Sequence, residues 1–282
     1  MTQWDDQALQ ARIKRAGQER YAAGSPDASE IAVYRAALVR ALPGETRERK
    51  VLILGMTPEL RRLGADLGCA TVCVDINPRS IAVYRDWLTP GQRARETVIQ
   101  GDWLQLARLL PRPFDAILGD GLFGNLLTLE AHRRLLGAMH DCLVPGGTVI
   151  QRNILIPRGF DPRAHDADAL LRAFRAGGIG EEEFGFGMRM WGCFATAYNP
   201  DTLLLDNTQV YDTYQAWLAS GRLTPSEHAL IRRYYFAGRN LIPGESLWET
   251  LLAEAGFRFE RLPLAGRQWY GYYPIYCCRR AE

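Results

Sequence analysis

The feature that most constrains this chain is a series of short apolar runs, each closed by glycine, proline or aspartate. Val51-Leu52-Ile53-Leu54 stops at Gly55, and further runs follow at 71–74, 97–99, 114–118 and 148–150. Runs this short and rich in branched residues are expected of strands buried on both faces. Helix signals lie between them. Thr57-Pro58-Glu59 reads as an N-cap, a first-turn proline and a first-turn acid, opening a helix that should end near Gly68. Pro78 to Trp87 fits a second helix. Thr128 can cap a third, whose apolar positions Leu135, Leu136, Met139 and Leu143 recur at helical spacing. The turn Pro145-Gly146-Gly147 should lead into the next strand. Repeated βα units of this kind imply an open parallel sheet with helices on both sides.

The last quarter of the chain breaks that alternation. Ser246-Leu247-Trp248-Glu249 reads as a capping box opening a helix that Gly256 closes. Strands are then expected at Phe257–Leu262 and Tyr272–Arg279. The link between them is too short for a crossover helix, so they should be antiparallel. The predicted fold class is therefore α/β: an open, mostly parallel seven-stranded sheet, helices on both faces, and a C-terminal antiparallel hairpin.

Between about 154 and 245 lies a stretch too long for one crossover. A second capping box, Thr224-Pro225-Ser226-Glu227, and a helical pattern from Val210 to Leu218 mark it as a mainly helical insertion. Its aromatic density is high, with Trp191, Phe194, Tyr198, Tyr211, Tyr214, Trp217, Tyr234, Tyr235 and Phe236. We read it as a cap over the sheet of the 45–282 domain, with residues 1–44 forming an N-terminal helical cover. Rings in such a cap suit a compact, partly flat substrate shielded from water. The helical spacing of Tyr211, Tyr214 and Trp217 fits the cap's own core equally well.

Composition removes several function classes. The chain has 282 residues, 34 Lys+Arg against 32 Asp+Glu, and a net charge of +2, unlike the strongly basic domain of a dedicated nucleic-acid binder. No apolar run approaches the length a membrane helix needs, and the first residues lack the order of a secretory signal. The six cysteines read as reduced thiols of a cytoplasmic protein, and Cys69 and Cys73 have no partner at a zinc-ligand spacing, so no metal site is expected. The sequence leaves a homodimer open.

In open α/β sheets, ligands bind beyond the carboxyl ends of the strands. The first expected strand ends at Gly55, where the missing side chain lets a ligand approach. The second ends at Asp75, twenty residues on, placed to accept the hydrogens of a ribose. The third leads to Gly101-Asp102-Trp103, and the fourth to Gly119-Asp120-Gly121 with Asn125 beyond. An aspartate after a strand is also a common turn residue, so each acid alone is weak. Their placement on one edge of one sheet is the stronger signal.

These stretches resemble the class I S-adenosylmethionine-dependent methyltransferases, a Rossmann-like family. The matching segments are Val51 to Gly55, Val74 to Pro78, Gly101 to Trp103, Phe114 to Gly121 and Leu143 to Gly147, with the closing hairpin as the family's reversed last strand. The resemblance implies S-adenosyl-L-methionine as cofactor and methyl transfer as activity. It maps the ribose-holding acid onto Asp75, with Ile76 beside it, and the adenine contact onto Asp102, with Trp103 packed against the base. It sets Asp120, Gly121 and Asn125 beside the methionine and the substrate. The first motif departs from the family: Ile53 stands where an acid is usual, and Gly55 is followed by Met56-Thr57-Pro58-Glu59 in place of further glycines. A Thr57 hydroxyl and free amides at the helix start offer an alternative hold on the methionine carboxylate. Glu59 is awkward for that anion unless it points away or bonds the ammonium.

Displacement at a sulfonium needs an aligned nucleophile, and a general base only where that nucleophile carries a proton. The candidates for that base are Asp120 and His132, with His140 eight residues after His132. Tyr21 and Tyr34 in the N-terminal cover are candidates to line the cofactor pocket, core packing being the other reading. Arg152, after the fifth strand, fits either an anionic substrate group or a surface ion pair. The expected function is methyl transfer to a small, partly aromatic metabolite. Two alternatives stay open: a non-catalytic methyltransferase-like partner subunit, and aminopropyl-type transfer from an S-adenosylmethionine derivative. The missing Gly-x-Gly-x-x-Gly turn disfavours a nicotinamide dehydrogenase.

Overall fold

The computed structural model describes residues 13–16, 19–22, 24–42, 48–110, 113–161, 166–235 and 238–281. The described residues begin with an antiparallel hairpin of β1 (Ile13–Ala16) and β2 (Glu19–Ala22), followed by a helix over Ala28–Ala41. The N-terminal cover is thus part strand, where a helical piece was expected. Its helix starts at a reciprocal capping box in which Asp27 and Glu30 bond each other's backbone amides. The side chain of Tyr21 lies outside the described residues.

Five parallel strands come next: β3 (Lys50–Leu54), β4 (Ala70–Asp75), β5 (Glu96–Gln100), β6 (Phe114–Asp120) and β7 (Leu143–Arg152). Helices Pro58–Asp66, Pro78–Arg85 and Leu129–Cys142 fall where the cap and proline signals place them, and Thr128 caps the last through the amide of Ala131. Pro145 to Gly147 lie inside β7, opposite a register irregularity at Phe114–Ala116, and do not precede the strand as a turn.

The insertion is helical, with helices Ala167–Arg175, Glu181–Gly187, Asn207–Ala219 and Pro225–Arg232, and it also carries a small antiparallel sheet. That sheet consists of β8 (Tyr198–Asn199), β9 (Leu204–Asp206) and β10 (Arg239–Leu241). The predicted Thr224 capping box forms. The one at Ser246 does not, because the helix Glu245–Glu254 already starts from Gly244, whose carbonyl accepts from Trp248. Glu249 instead accepts the Tyr276 hydroxyl at 3.1 Å.

Two final strands, β11 (Phe257–Arg261) and β12 (Ile275–Arg280), complete a seven-stranded sheet in the order β11-β12-β7-β6-β3-β4-β5. β12 runs antiparallel to both its neighbours, and every other pairing is parallel. Side chains alternate across the sheet. Leu52 and Leu54 pack with Leu135, Leu136, Met139 and Trp248 on one face, while Val51 and Ile53 pack with Leu38, Leu60 and Leu63 on the other. A third cluster, including Phe184, Met188, Trp191 and Tyr214, forms the core of the cap. Among the described residues no helix is long and apolar enough to cross a membrane.

The strand order reverses at β3, whose chain leaves toward β4 on one side while β6 returns on the other. The crevice at such a reversal is where an open α/β sheet binds its ligand.

Candidate active site

A cleft opens at that reversal, between the strand ends and the cap. Its floor begins at Gly55, whose amide donates to Val74 O at 2.8 Å and whose φ of 96° is a left-handed conformation that favours glycine. Thr57, the N-cap of the helix after β3, makes no side-chain capping bond and lines the cleft. The Trp103 indole N–H donates to Val74 O at 2.7 Å, holding the ring as a wall over Gly55.

Asp75 lies at the end of β4 in the same cleft, 9% exposed, with Oδ1 accepting from the Asn77 amide at 2.8 Å. Burial pushes its carboxyl up to about 6, against the lowering effect of that amide. Ser80 and Tyr84, from the helix after β4, line the same end. Glu59, at the first turn after Gly55, has its carboxyl pushed up to about 7 by burial, opposed by hydrogen bonding and by Arg62. At neutral pH it is therefore only about half ionised, which eases its conflict with a neighbouring anion.

β6 delivers Asp120, Gly121 and Asn125 to the middle of the cleft, with Asn125 Nδ2 donating to Gly121 O at 3.1 Å. Asp120 is held from behind. Arg152 Nε donates to its Oδ1 at 2.8 Å, Nη1 to Glu30 Oε1 at 2.7 Å, and Nη2 to Gly24 O at 2.5 Å. The guanidinium also lies 4.0 Å from the centroid of the Tyr273 ring. Arg152 is thus a buried strut between the N-terminal cover and the end of β6. It is neither of the two things its sequence position suggested.

Beyond Asp120 the cleft continues under the cap. Phe186, Tyr234 and Tyr273 line it, with Phe186 and Tyr273 near parallel at 6.2 Å between centroids. Arg189, in a single wide turn of helix at Met188–Gly192, reaches the same space. Its Nη2 donates to Asn207 Oδ1 at 2.7 Å and Asn240 Oδ1 at 2.6 Å. Such wide turns recur at functional positions.

The structure brings seven of the sequence-derived residues to this cleft: Gly55, Thr57, Asp75, Trp103, Asp120, Gly121 and Asn125. Four others among the described residues go elsewhere. Ile76 is exposed beside Asp75. Asp102 turns back to accept the Leu104 amide at 2.9 Å, capping its own short helix and not lining the cleft. Tyr34 is a core residue, its hydroxyl donating to Gly119 O at 2.6 Å beneath the end of β6.

His132 is not placed to act as a base. Its Nε2 lies 2.9 Å from Phe123 O and 3.1 Å from Leu126 O, so that nitrogen must carry the proton. The ring is fully buried, edge-on to Phe123 and Trp248, and burial lowers its pKa to about 4. It belongs to the sheet-facing stripe of its helix, with Leu135, Leu136 and Met139.

Neither the known family models nor the curated proteins match this sequence. Solved structures do. The CcbJ methyltransferase of Streptomyces caelestis superposes with a TM-score of 0.59 over 92% of each chain, at 14% identity. The fold is that of a class I S-adenosylmethionine-dependent methyltransferase. A Rhodobacter sphaeroides protein, provisionally described as a zinc-dependent alcohol dehydrogenase, superposes with a TM-score of 0.54 over 97% of each chain, at 18% identity. At these identities the likeness carries the fold and nothing finer. Among the described residues of this chain, no group of three or more His, Cys, Asp or Glu side chains is placed to hold a metal ion.

Proposed function

We propose that the protein is an S-adenosylmethionine-dependent methyltransferase whose acceptor is a small molecule enclosed between the sheet edge and the aromatic cap. The observation that carries this reading is one continuous cleft with two unlike halves. One half has Gly55, Asp75 and Trp103, and the other has Phe186, Tyr234 and Tyr273. Asp120 stands between them.

S-adenosylmethionine, when bound, supplies a methyl group on a positively charged sulfur. The residues present fit it. Gly55 presents only backbone to the cleft floor at the end of β3, where a ligand can approach it closely. The buried Asp75 carboxylate has acceptor capacity beyond the single Asn77 amide, enough for the two ribose hydroxyls. The first-turn amides of helix Pro58–Asp66 and the Thr57 hydroxyl offer donors for the methionine carboxylate, standing in for the missing glycines. Glu59, half protonated near neutrality, is compatible with that anion.

Asp120 then has a defined task. One of its oxygens is fixed by Arg152, so the carboxylate is oriented before any ligand arrives. Its remaining acceptor capacity is available to an ammonium or to the proton of the acceptor nucleophile. The rings of the cap exclude water from the far half and hold a flat acceptor in place.

The test is transfer of a radiolabelled methyl group from S-adenosylmethionine to a panel of small aromatic acceptors, with heat-denatured protein as control. Label appearing in a small-molecule product supports the proposal. Tight cofactor binding with no transfer to any acceptor would favour the non-catalytic alternative.

A further inference from the structure

A second, smaller cavity adjoins the cleft at Phe186. Its walls include the rings of Phe186, Trp191, Trp269 and Tyr272. Phe186 is the one residue that lines both spaces. The rings lean on one another, with Trp191 and Tyr272 at 4.5 Å between centroids and Phe186 and Trp269 at 5.6 Å. Phe186 and Trp191 are buried, while Trp269 and Tyr272 are half-buried. The free volume would take about three water molecules, the size of a small alkylated ammonium.

Among the described residues one charged side chain lines this cavity, the half-buried carboxylate of Glu183. It is the last of three acids in the first turn of helix Glu181–Gly187. Glu181 is paired with Arg233 at 3.2 Å and Glu182 with Arg267 at 2.6 Å. Glu183 has no hydrogen bond or ion pair among the described residues. A first-turn acid also complements the amides of a helix start, which accounts for its place but not for the rings around it. Arg267 shows what those rings accept, its guanidinium lying 4.6 Å from the centroid of Trp269. Its charge is met by Glu182 and by Asp27 at 3.0 Å, so it leaves Glu183 uncompensated. A ring face attracts a cation, and more strongly where water is excluded. Ring faces beside an unpaired carboxylate select a cation with an apolar surface over a neutral molecule of the same shape.

We propose that this cavity binds a small organic cation, an alkylated ammonium packed against Trp269 and Tyr272 with its charge toward Glu183. A metal ion is not the occupant, since among the described residues no group of three or more His, Cys, Asp or Glu side chains is placed to hold one. The site shares no residue with the Gly55, Asp75 and Trp103 half of the cleft, so it fills independently of any ligand there.

The test uses tetramethylammonium and tert-butanol, a neutral molecule of similar shape, titrated by ligand-observed NMR with and without saturating S-adenosylhomocysteine. Tetramethylammonium is expected to bind about tenfold more tightly than tert-butanol, with that ratio unchanged by S-adenosylhomocysteine. Glu183→Gln should cut the preference by about threefold or more, and Trp269→Leu should remove most of the tetramethylammonium binding. Equal binding of the two probes to the unaltered protein, or binding of neither, overturns the proposal even if Trp269→Leu does not fold. Displacement of tetramethylammonium by S-adenosylhomocysteine would place the cation in the cleft and overturn it too. So would a full preference that survives in a folded Glu183→Gln protein.

Discussion

Replacing Arg152 with methionine tests whether the strut between cover and sheet is what orients the site. The side chain is 2% exposed and sits between the carboxylates of Glu30, 1% exposed, and Asp120, 10% exposed. Methionine keeps much of the volume and removes the charge, so two buried carboxylates lose their common cation. Breaking a buried pair this way costs about 3–5 kcal/mol, mostly through the charge left behind. Burial already raises the Glu30 pKa, and Arg152 is what pulls it back. In Arg152→Met, Glu30 should take up a proton, which limits the loss to the lower part of that range and makes it smaller at acid pH. For a chain of this size the loss corresponds to a fall in Tm of roughly 6–15 °C. The assay is urea denaturation of Arg152→Met, Glu30→Gln and the double variant, at pH 8 and pH 5. The double variant should lose clearly less than the sum of the singles, because Glu30→Gln removes one of the orphaned charges. A loss under about 1 kcal/mol for Arg152→Met, or strict additivity of the two changes, would refute the strut.

Two further perturbations address the site itself. Asp75→Asn should weaken S-adenosylhomocysteine by about tenfold or more at pH 8. The unaltered protein, with Asp75 pushed up to about 6, should lose affinity relative to the variant as pH falls through 6, Glu59 titrating alike in both, so matching calorimetric pH profiles would remove Asp75 from the site. His132→Gln tests the buried-histidine assignment through stability. Folding lowers this pKa from 6.5 to about 4, so its contribution is fully present above 6.5 and lost as pH falls through about 4. Across that window the pH-dependent part of the stability is on the order of 3 kcal/mol. The raised pKa values of Asp75 and Glu59 act oppositely, so the readout is the difference between variant and parent from pH 7 to 4. That difference should shrink on acidification with cofactor affinity unchanged at pH 8. A loss of affinity at pH 8, or a constant difference, would contradict the assignment.

The sheet was legible because parallel strands buried on both faces must be written as unbroken apolar runs, and β3 reads that way in four of its five residues, Val51 to Leu54. The ends of those strands carried Gly55, Asp75 and Asp120 to one cleft without knowledge of any contact. What could not be read was anything assembled across the chain. Arg152 meets Asp120 over 32 positions and Glu30 over 122, and no local pattern announces either. Arg189, Asn207 and Asn240 converge only because the cap folds back on itself. Asp102 caps its own short helix, a use that a strand-end aspartate signals as readily as a ligand contact. His132 was readable in principle. It shares its helix face with Leu135, Leu136 and Met139, and that stripe had to meet the sheet.

The cofactor claim is tested most directly by calorimetric titration of the purified protein with S-adenosylhomocysteine, with NAD as the control ligand. The account predicts micromolar, one-to-one binding of S-adenosylhomocysteine and no heat from NAD. Binding of NAD alone, or of neither ligand, would contradict it.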